Sequence, residues 1–277
     1  MSATDSIIAP AAEPMASAPV VVERSSLTDH PAARILLPAL FAVVMIGLWE
    51  GLVIWYAVPE VILPTPSRVY QRILQTWPFL LQHAVPTGLD SLFGFIIATI
   101  LGMGIALVLT YSKWAYVTLY PNVVLLQLIP KIALAPLFIV WLGIGTSSRL
   151  AFSVFIAFFP VVIATQTGLN STPPDMIRLC KALTARSWQV FLSVRFPYAL
   201  PHIFSGLKIA VTFAIIGVIV GEFITAQAGL GYLVLFASSQ AETALVLASI
   251  AMLCVVGLVL YGIVAGLERI VLRKYGH

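Results

Sequence analysis

Long runs of apolar residues, separated by short polar stretches, make up most of the chain after its first 34 residues. A helix that crosses a bilayer needs about 20 consecutive apolar residues. The runs are continuous rather than alternating, which favours membrane-spanning helices over the strands of a membrane barrel. The pattern predicts an all-α, polytopic membrane protein with about six transmembrane helices, at residues 35–58, 87–111, 115–142, 149–169, 207–226 and 243–267.

Two departures from the simple pattern predict local features. The stretch between the first two runs is mixed, and Val69, Ile73, Leu74 and Trp77 share one helical face there, so we expect an amphipathic helix capped by Ser67. The third run contains Pro130 and Pro136, and we expect these prolines to interrupt its helix.

Composition agrees with the hydropathy pattern. Apolar residues make up 60% of the chain and charged residues only 9%, against about 25% charged residues in soluble domains. The two cysteines give neither a disulfide framework nor a metal-binding spacing, and no metal site is expected. Residues 1–30 are rich in Ala, Pro and Ser and predict a flexible cytoplasmic tail, which leaves residues 31–277 as one transmembrane domain.

The distribution of Lys and Arg predicts the orientation. Six spans place both termini on one side, and with the termini in the cytoplasm only Arg68, Arg72 and Arg149 lie outside, while Lys131 falls within a span. This satisfies the positive-inside rule. Because the basic residues flank apolar runs, the net charge of +4 gives no reason to expect nucleic-acid binding. Of the fifteen Lys and Arg residues, the other eleven lie on the cytoplasmic side in this arrangement: Arg24, Arg34, Lys113, Arg178, Lys181, Arg186, Arg195, Lys208, Arg269, Arg273 and Lys274.

The longest polar interruption in the second half, residues 172–206, is both basic and aromatic. Thr172 followed by two prolines and Asp175 is typical of a helix start, so we expect one helix at 173–183. A second helix is expected from near Ser187 to just before Pro197, with a bend near Thr184 between the two. Such a segment is suited to a protein partner. The alternative is a loop whose Trp and Arg residues only anchor it at lipid headgroups.

This segment resembles the signature loop of the permease subunits of binding-protein-dependent ABC importers. The second half of that motif matches 185–191, followed by Val194-Arg195-Phe196-Pro197 and 206–210. In the first half, Arg178 stands where glutamate is usual and Thr184 where glycine is usual. Further blocks are similar to the nitrate/sulfonate/taurine branch, which includes carriers of thiamine-precursor pyrimidines: residues 63–67, 129–137, 141–145, 158–160, 221–223 and 229–232.

The resemblance implies a mechanism and partners. Two permease copies, expected to be a homodimer in the bacterial inner membrane, would form the path, and a periplasmic binding protein would deliver the solute. A cytoplasmic ATPase would dock on the loop and bind ATP and Mg; this chain, which lacks the sequence G-x-x-x-x-G-K-[ST], is expected to be neither an enzyme nor a cofactor carrier. The residues expected to couple to the ATPase are Arg178, Lys181, Thr184, Ala185, Arg186, Ser187, Trp188 and Phe191.

The departures from the motif give two narrower predictions. Threonine is disfavoured at positive φ, so Thr184 is expected to keep negative φ and the two helices to join by another bend. Arg178 is expected to face an acidic residue of the ATPase.

Ionisable residues within the spans are further candidates, since charges in a bilayer are costly and often functional. We expect Gln127, Lys131 and Glu222 to line the translocation path, although Glu222 could instead be structural. The lysine would suit an anion such as a sulfonate or nitrate, and a pyrimidine precursor or an aromatic acid remains open.

Two other functions compete. A secondary transporter driven by an ion gradient would usually show internal repeats and paired broken helices, whereas this chain shows one proline-broken span and no repeat. An intramembrane enzyme would need cooperating polar groups at one depth, and no such pair is evident.

Overall fold

The computed structural model describes residues 33–225 and 227–275. Their helices are α1 (Ala33–Trp55), α2 (Pro66–Gln75), α3 (Trp77–Tyr111), α4 (Lys113–Leu128), α5 (Ala135–Leu142), α6 (Thr146–Asn170), α7 (Pro174–Ala182), α8 (Ser187–Val190), α9 (Phe196–Thr225), α10 (Leu230–Ser239) and α11 (Thr243–Lys274). A 3₁₀ turn at Lys131–Leu134 precedes α5, and a π-helical turn at Phe191–Arg195 joins α8 to α9.

The chain divides into two units, with the boundary between Leu48 and Trp49. In the first unit, the described side chains from Leu36 to Leu48 are all exposed and mostly apolar, as expected for a helix surrounded by lipid. The predicted tail, residues 1–30, lies outside the described residues. The predicted division into a tail and one transmembrane domain therefore stays a prediction.

Within the described residues, five helices are long and apolar enough to cross a membrane, and the bent pair Lys113–Leu128 and Lys131–Leu142 would make a sixth. The all-α fold and the number of spans are thus confirmed. The pair bends by 91° at a short break that includes Pro130, as expected. Pro136 does not interrupt a helix, because it lies in the first turn of α5, where its missing N–H costs little.

Several predicted boundaries were wrong, because prolines were taken as stops. α3 begins at Trp77, ten residues before the predicted start of that span, and continues through Pro86. The helix expected to end before Pro197 continues instead into α9, so one helix runs over Ser187–Ile224. In the π-helical turn before Pro197, the N–H of Phe196 donates to the Phe191 carbonyl, five residues back. This register accommodates Pro197 inside the continuous helix, because in a regular α-helix its ring would clash with the carbonyl four residues back.

The amphipathic helix α2 is present, but its cap differs from the prediction. Thr65, not Ser67, caps it, since the Thr65 hydroxyl accepts the Arg68 N–H at 3.3 Å. Ser67 instead donates its backbone N–H (3.2 Å) and its hydroxyl to the Glu50 carboxylate. Val69 is buried, whereas Leu74 and Trp77 are exposed, so only part of the predicted face is used in packing.

The core of the second unit is formed by α3, α6 and α9. Small side chains let these helices approach closely, which is the usual way that helices pack in lipid. Their shared buried cluster consists of Ala98, Ala157, Val161, Ala210 and Ala214. α10 and α11 pack beside this core through a second cluster that includes Leu80, Leu230, Leu233 and Met252.

Candidate functional site

The turn after α7 is a Schellman motif built on Thr184. The Thr184 N–H donates to the Lys181 carbonyl and the Ala185 N–H to the Cys180 carbonyl, both at 3.0 Å. This pattern requires a left-handed residue at the position that Thr184 occupies. Its φ is +58°, so the prediction of negative φ was wrong: the two hydrogen bonds outweigh the conformational cost of threonine there.

The segment from α7 to α8, residues 174–190, presents a mixed basic and apolar surface, which we call the coupling surface. Leu179 is 58% exposed, Leu183 71% and Trp188 66%. The side chains of Arg178, Lys181, Thr184, Arg186 and Ser187 are also exposed, while Ala185 is half-buried. Large exposed apolar residues surrounded by charges are typical of protein or membrane interaction sites.

Arg178 forms an ion pair with Asp175 one turn earlier, at 3.3 Å, and both side chains are about four-fifths exposed or more. Such a surface pair contributes little to stability. The guanidinium is therefore free to exchange this partner for another acidic group. The predicted acidic residue on the ATPase stays a prediction.

Phe191, which was also expected to couple to the ATPase, is not exposed. It is buried at 8% exposure with Leu169, Ala199 and Ile203. The Trp188 ring stacks over it, with 6.1 Å between ring centroids. Phe191 therefore supports the exposed Trp188 from below and attaches α8 to the ends of the membrane helices.

Gln127 and Lys131 lie at the bend between α4 and α5. The Lys131 Nζ donates to the Gln127 carbonyl at 2.9 Å and lies 5.1 Å from the centroid of the Phe159 ring. Lys131 is half-buried and the Gln127 side chain exposed. These contacts satisfy the ammonium group locally, and a role in the path stays a prediction.

Glu222 is 1% exposed and fastens the start of α10. Its carboxylate accepts the Thr87 hydroxyl and the Gly231 N–H, both at 2.7 Å. The Thr87 hydroxyl oxygen also accepts the Leu230 N–H at 2.8 Å, and His83 Nδ1 accepts the Gly229 N–H at 3.0 Å. The unpaired N–H groups at the beginning of a helix need such acceptors when they are buried.

Gly229 is needed for this contact. Its φ is +111°, and a Cβ added there would collide with the Glu222 carboxylate. Glu222 was a candidate from the sequence, whereas Thr87 and His83 were not, because these partners lie 135 or more residues away in the chain. The Gly-x-Gly spacing at 229–231 was the available signal.

A polar stripe on α9 was also missed. His202, Ser205 and Thr212 are exposed in a helix that is otherwise apolar. Ser205 and Thr212 are seven residues apart, so they lie on one face two turns apart. Beside them lies a cavity of about 480 Å³, lined also by Lys208 and Tyr261. The Lys208 ammonium is paired with Glu268 of α11 at 2.7 Å.

Among the described residues, no three His, Cys, Asp or Glu side chains are placed to hold a metal ion. The buried Asp90 pairs with Arg149 of α6 at 3.0 Å. This pair links α3 to α6, and both charged groups are thereby neutralised within the protein.

Comparison with solved structures agrees with this fold. The permease chain of a methionine ABC transporter in an inward-facing form superposes with a TM-score of 0.57 at 18% identity, over 71% of this chain and 95% of that chain. At this identity the likeness shows the fold alone.

Curated relatives are closer in sequence. A probable ABC transporter permease of Haemophilus influenzae is 36% identical over 82% of this chain and 93% of its own length. The riboflavin transport permease RibX of Chloroflexus aurantiacus is 32% identical over 83% of this chain and 86% of its own. The formylaminopyrimidine transport permease ThiX of Halalkalibacterium halodurans is 32% identical over 85% and 94%. Permeases named for aliphatic sulfonates, taurine and nitrate match at 29%, 27% and 26% identity.

The family model described as binding-protein-dependent transport system inner membrane component matches residues 94–273. That range covers α6 to α10, and with them the coupling surface, the polar stripe and Glu222. Members of this family are permease subunits rather than catalytic ones, and they work in general with an ATPase and a binding protein. The chain belongs to this family, and it is a multi-pass membrane permease subunit of an ABC importer.

Proposed function

We propose that two copies of this chain form the translocation path, and that each copy docks a cytoplasmic ATPase on its coupling surface. The observation that carries this proposal is the continuous helix Ser187–Ile224. It bears the exposed Trp188 at one end and the polar stripe within the membrane, so a force applied at the coupling surface reaches the path through one rigid element.

The ATPase supplies the chemistry in this proposal. It binds ATP and Mg, and this chain binds neither. The exposed apolar residues Leu183 and Trp188 enter a groove of the ATPase, and its acidic groups face Arg178 and Arg186. Charge complementarity of this kind sets orientation and specificity at protein interfaces.

The polar stripe argues for a second copy. Ser205 and Thr212 are exposed on a membrane helix, and polar groups in a bilayer face other helices or a water-filled cavity rather than lipid. In a twofold-symmetric dimer the same face of α9 meets itself across the axis. The two stripes would then enclose the path, with Gln127 and Lys131 near it. Glu222 would act at a distance, by holding α10.

The solute is proposed to be a small neutral or weakly polar heterocycle of the pyrimidine type, delivered by a periplasmic binding protein. The relatives named for riboflavin and formylaminopyrimidine are 32% identical, against 26–29% for those named for sulfonates, taurine and nitrate. The stripe also offers hydroxyl groups, and its one lysine is neutralised by Glu268.

The orientation is proposed from the distribution of charge. With both termini in the cytoplasm of a bacterial cell, the coupling surface faces the ATPase and α2 and α10 face the periplasm, as the positive-inside rule favours.

A pull-down tests the docking surface. The tagged chain is purified from native membranes in mild detergent, and the co-purified proteins are identified by mass spectrometry. We expect a P-loop ATPase with the wild-type chain and its loss with Trp188→Ala. Trp114→Ala is the matched control, since Trp114 is 83% exposed but lies at the start of α4. Recovery of the chain alone, with transport that stops when the ion gradient is dissipated, would instead favour a secondary transporter.

Cysteine cross-linking tests the dimer. Thr212→Cys, in a chain whose Cys180 and Cys254 are replaced by Ser, should form a disulfide with its own copy in membranes. Leu258→Cys is the control, because Leu258 is 70% exposed on α11 and is assigned to lipid. Cross-linking at residue 258 but not at 212 would show that the copies meet through α11 instead of α9, and would contradict this proposal.

A further inference from the structure

A second polar cavity lies beneath the coupling surface. It has a volume of about 270 Å³, is open on one side, and is lined by residues from the end of α3, from α7, from α8 and from the π-helical turn before α9. We propose that it binds a phosphate group, supplied by the headgroup of an anionic lipid. This inference rests on the proposed orientation, which places the cavity at the cytoplasmic surface of the membrane.

The charges of the cavity point to an anion. Lys181 and Arg195 both line it, and no acidic side chain does. The four ion pairs among the described residues involve neither of these two cations. Two cations that share a cavity repel each other, and a bound anion removes that repulsion. Phosphate suits them, because guanidinium and ammonium groups form charge-assisted hydrogen bonds with its oxygens.

The neutral groups of the cavity fit a phosphate as well. Tyr111 and Ser187 line it, and neither side-chain hydroxyl donates a hydrogen bond to another described residue. They are therefore available to a ligand oxygen. Ile177 and Val190 complete the lining with apolar surface, which suits a lipid whose glycerol and upper acyl carbons lie beside its headgroup.

The position of the cavity favours a lipid over a soluble phosphate. Tyr111 is the last residue of the membrane helix α3, and Arg195 immediately precedes α9, so the cavity lies at the level where the spans leave the bilayer. Basic pockets between helices on the cytoplasmic side are typical sites for anionic headgroups.

A lipid bound here would contact three elements at once. It would join the end of α3, the last turn of α7 through Lys181 and the π-helical turn through Arg195. The coupling surface would thus be held against the spans by a lipid, and the membrane's anionic lipid content would set how firmly the ATPase movement reaches α9.

The test uses the full-length chain, purified and placed in nanodiscs of neutral phosphatidylcholine with increasing fractions of phosphatidylglycerol. Retained phosphatidylglycerol is counted by native mass spectrometry. We expect about one retained lipid per chain, and binding weaker on the order of tenfold or more in the Lys181→Gln, Arg195→Gln double variant. The control is Arg178→Gln, Arg186→Gln, which removes the same charge from the same segment outside the cavity.

Two further arms complete the test. Inorganic phosphate at constant ionic strength, added to lipid-free chain, distinguishes a soluble source: protection of Arg195 from phenylglyoxal by phosphate but not by phosphatidylglycerol would assign a free phosphate and overturn the lipid. The single variant Lys181→Gln, whose side chain is exposed, serves if the double variant does not fold. Equal lipid retention by the wild-type chain and all variants would overturn the site. ATPase recovery is measured separately, so failure of the lipid site leaves the docking proposal standing.

Discussion

Thr184 occupies a position after a helix end where glycine is common, and two hydrogen bonds stabilise its backbone conformation there. A non-glycine residue at φ +58° costs about 1 kcal/mol or more. Thr184→Gly is expected to keep the Schellman turn and to stabilise the α7–α8 segment by up to about 1 kcal/mol. Hydrogen exchange of the α7 amides in the purified chain measures this as slower local opening.

The control is Ala185→Gly, one residue further on, where no positive φ has to be relieved. It should leave exchange unchanged or make it faster, because an added glycine increases the freedom of the open state. If Thr184→Gly speeds exchange as well, the threonine side chain has a stabilising contact that outweighs its strain.

Asp90 and Arg149 are a charged pair largely removed from solvent, with side-chain exposures of 13% and 11%. Removing one partner leaves the other charge buried and uncompensated, which typically costs about 3–5 kcal/mol. Asp90→Ala is therefore expected to lower the thermal midpoint of the purified chain strongly. The double variant Asp90→Leu, Arg149→Met should recover most of that loss, because it leaves no unpaired charge; a double variant as unstable as the single one would show that packing, not charge, is at stake.

At the scale of whole helices, the contacts among α3, α6 and α9 depend on Ser153. Its hydroxyl donates to the Ala214 carbonyl at 2.9 Å, and Gly94 and Gly217 lie against it from either side. A Cβ added at Gly217 would lie 2.6 Å from the Ser153 Cα, a distance at which backbone would have to move. Gly217→Ala is expected to separate α9 from α6 and to destabilise the chain by about 1–3 kcal/mol.

Gly104→Ala is the matched control for this prediction. Gly104 lies within α3, and nothing lies within 4 Å of an added Cβ there. Alanine at that position should be neutral or stabilising, since glycine costs about 1 kcal/mol in a helix interior. The two variants can be compared by the temperature at which each chain loses its monodisperse elution profile. Equal midpoints would show that α9 tolerates the added methyl by shifting.

The sequence predicted helix number and type well, because a span must be long, apolar and helical to satisfy its backbone in lipid. It predicted the ends of the helices poorly. Pro86 and Pro197 were taken as stops, yet a membrane helix accepts proline where neighbouring helices or a register shift compensate for the lost hydrogen bond. For Pro197 that compensation depends on the π-helical turn at 191–195, which no local pattern in the sequence predicts.

The candidate site was predictable where composition alone decides it. The exposure of the basic residues of α7 could be predicted, because charged side chains are costly in a membrane core. The burial of Phe191 could not be predicted, because it depends on Leu169 and Ile203 from two other helices. The hydrogen bonds that Glu222 accepts depend likewise on Thr87. Contacts between such distant segments form only once the helices are packed.

At the scale of the whole transport cycle, the helix Ser187–Ile224 is the element that matters most. Its 38 residues correspond to roughly 57 Å at 1.5 Å per residue, enough to carry movement from the coupling surface to the Glu222 network. The π-helical turn lies between its two ends and holds one residue more than an α-helical turn would need, which accommodates Pro197.

Deleting Ser193 should convert the π-helical turn into α-helix, in which the Pro197 ring clashes with the carbonyl four residues back, and so bend the helix between Trp188 and the polar stripe. Ser193 is exposed, so its loss removes no buried contact. The expected result is an importer that still assembles and hydrolyses ATP at its basal rate, but whose hydrolysis no longer rises on addition of the loaded binding protein. Ser193→Ala keeps the length of the turn and should behave as wild type. Unchanged stimulation in the deletion variant would mean that the coupling surface and α9 move independently, and that the force reaches the path through α7 and α6 instead.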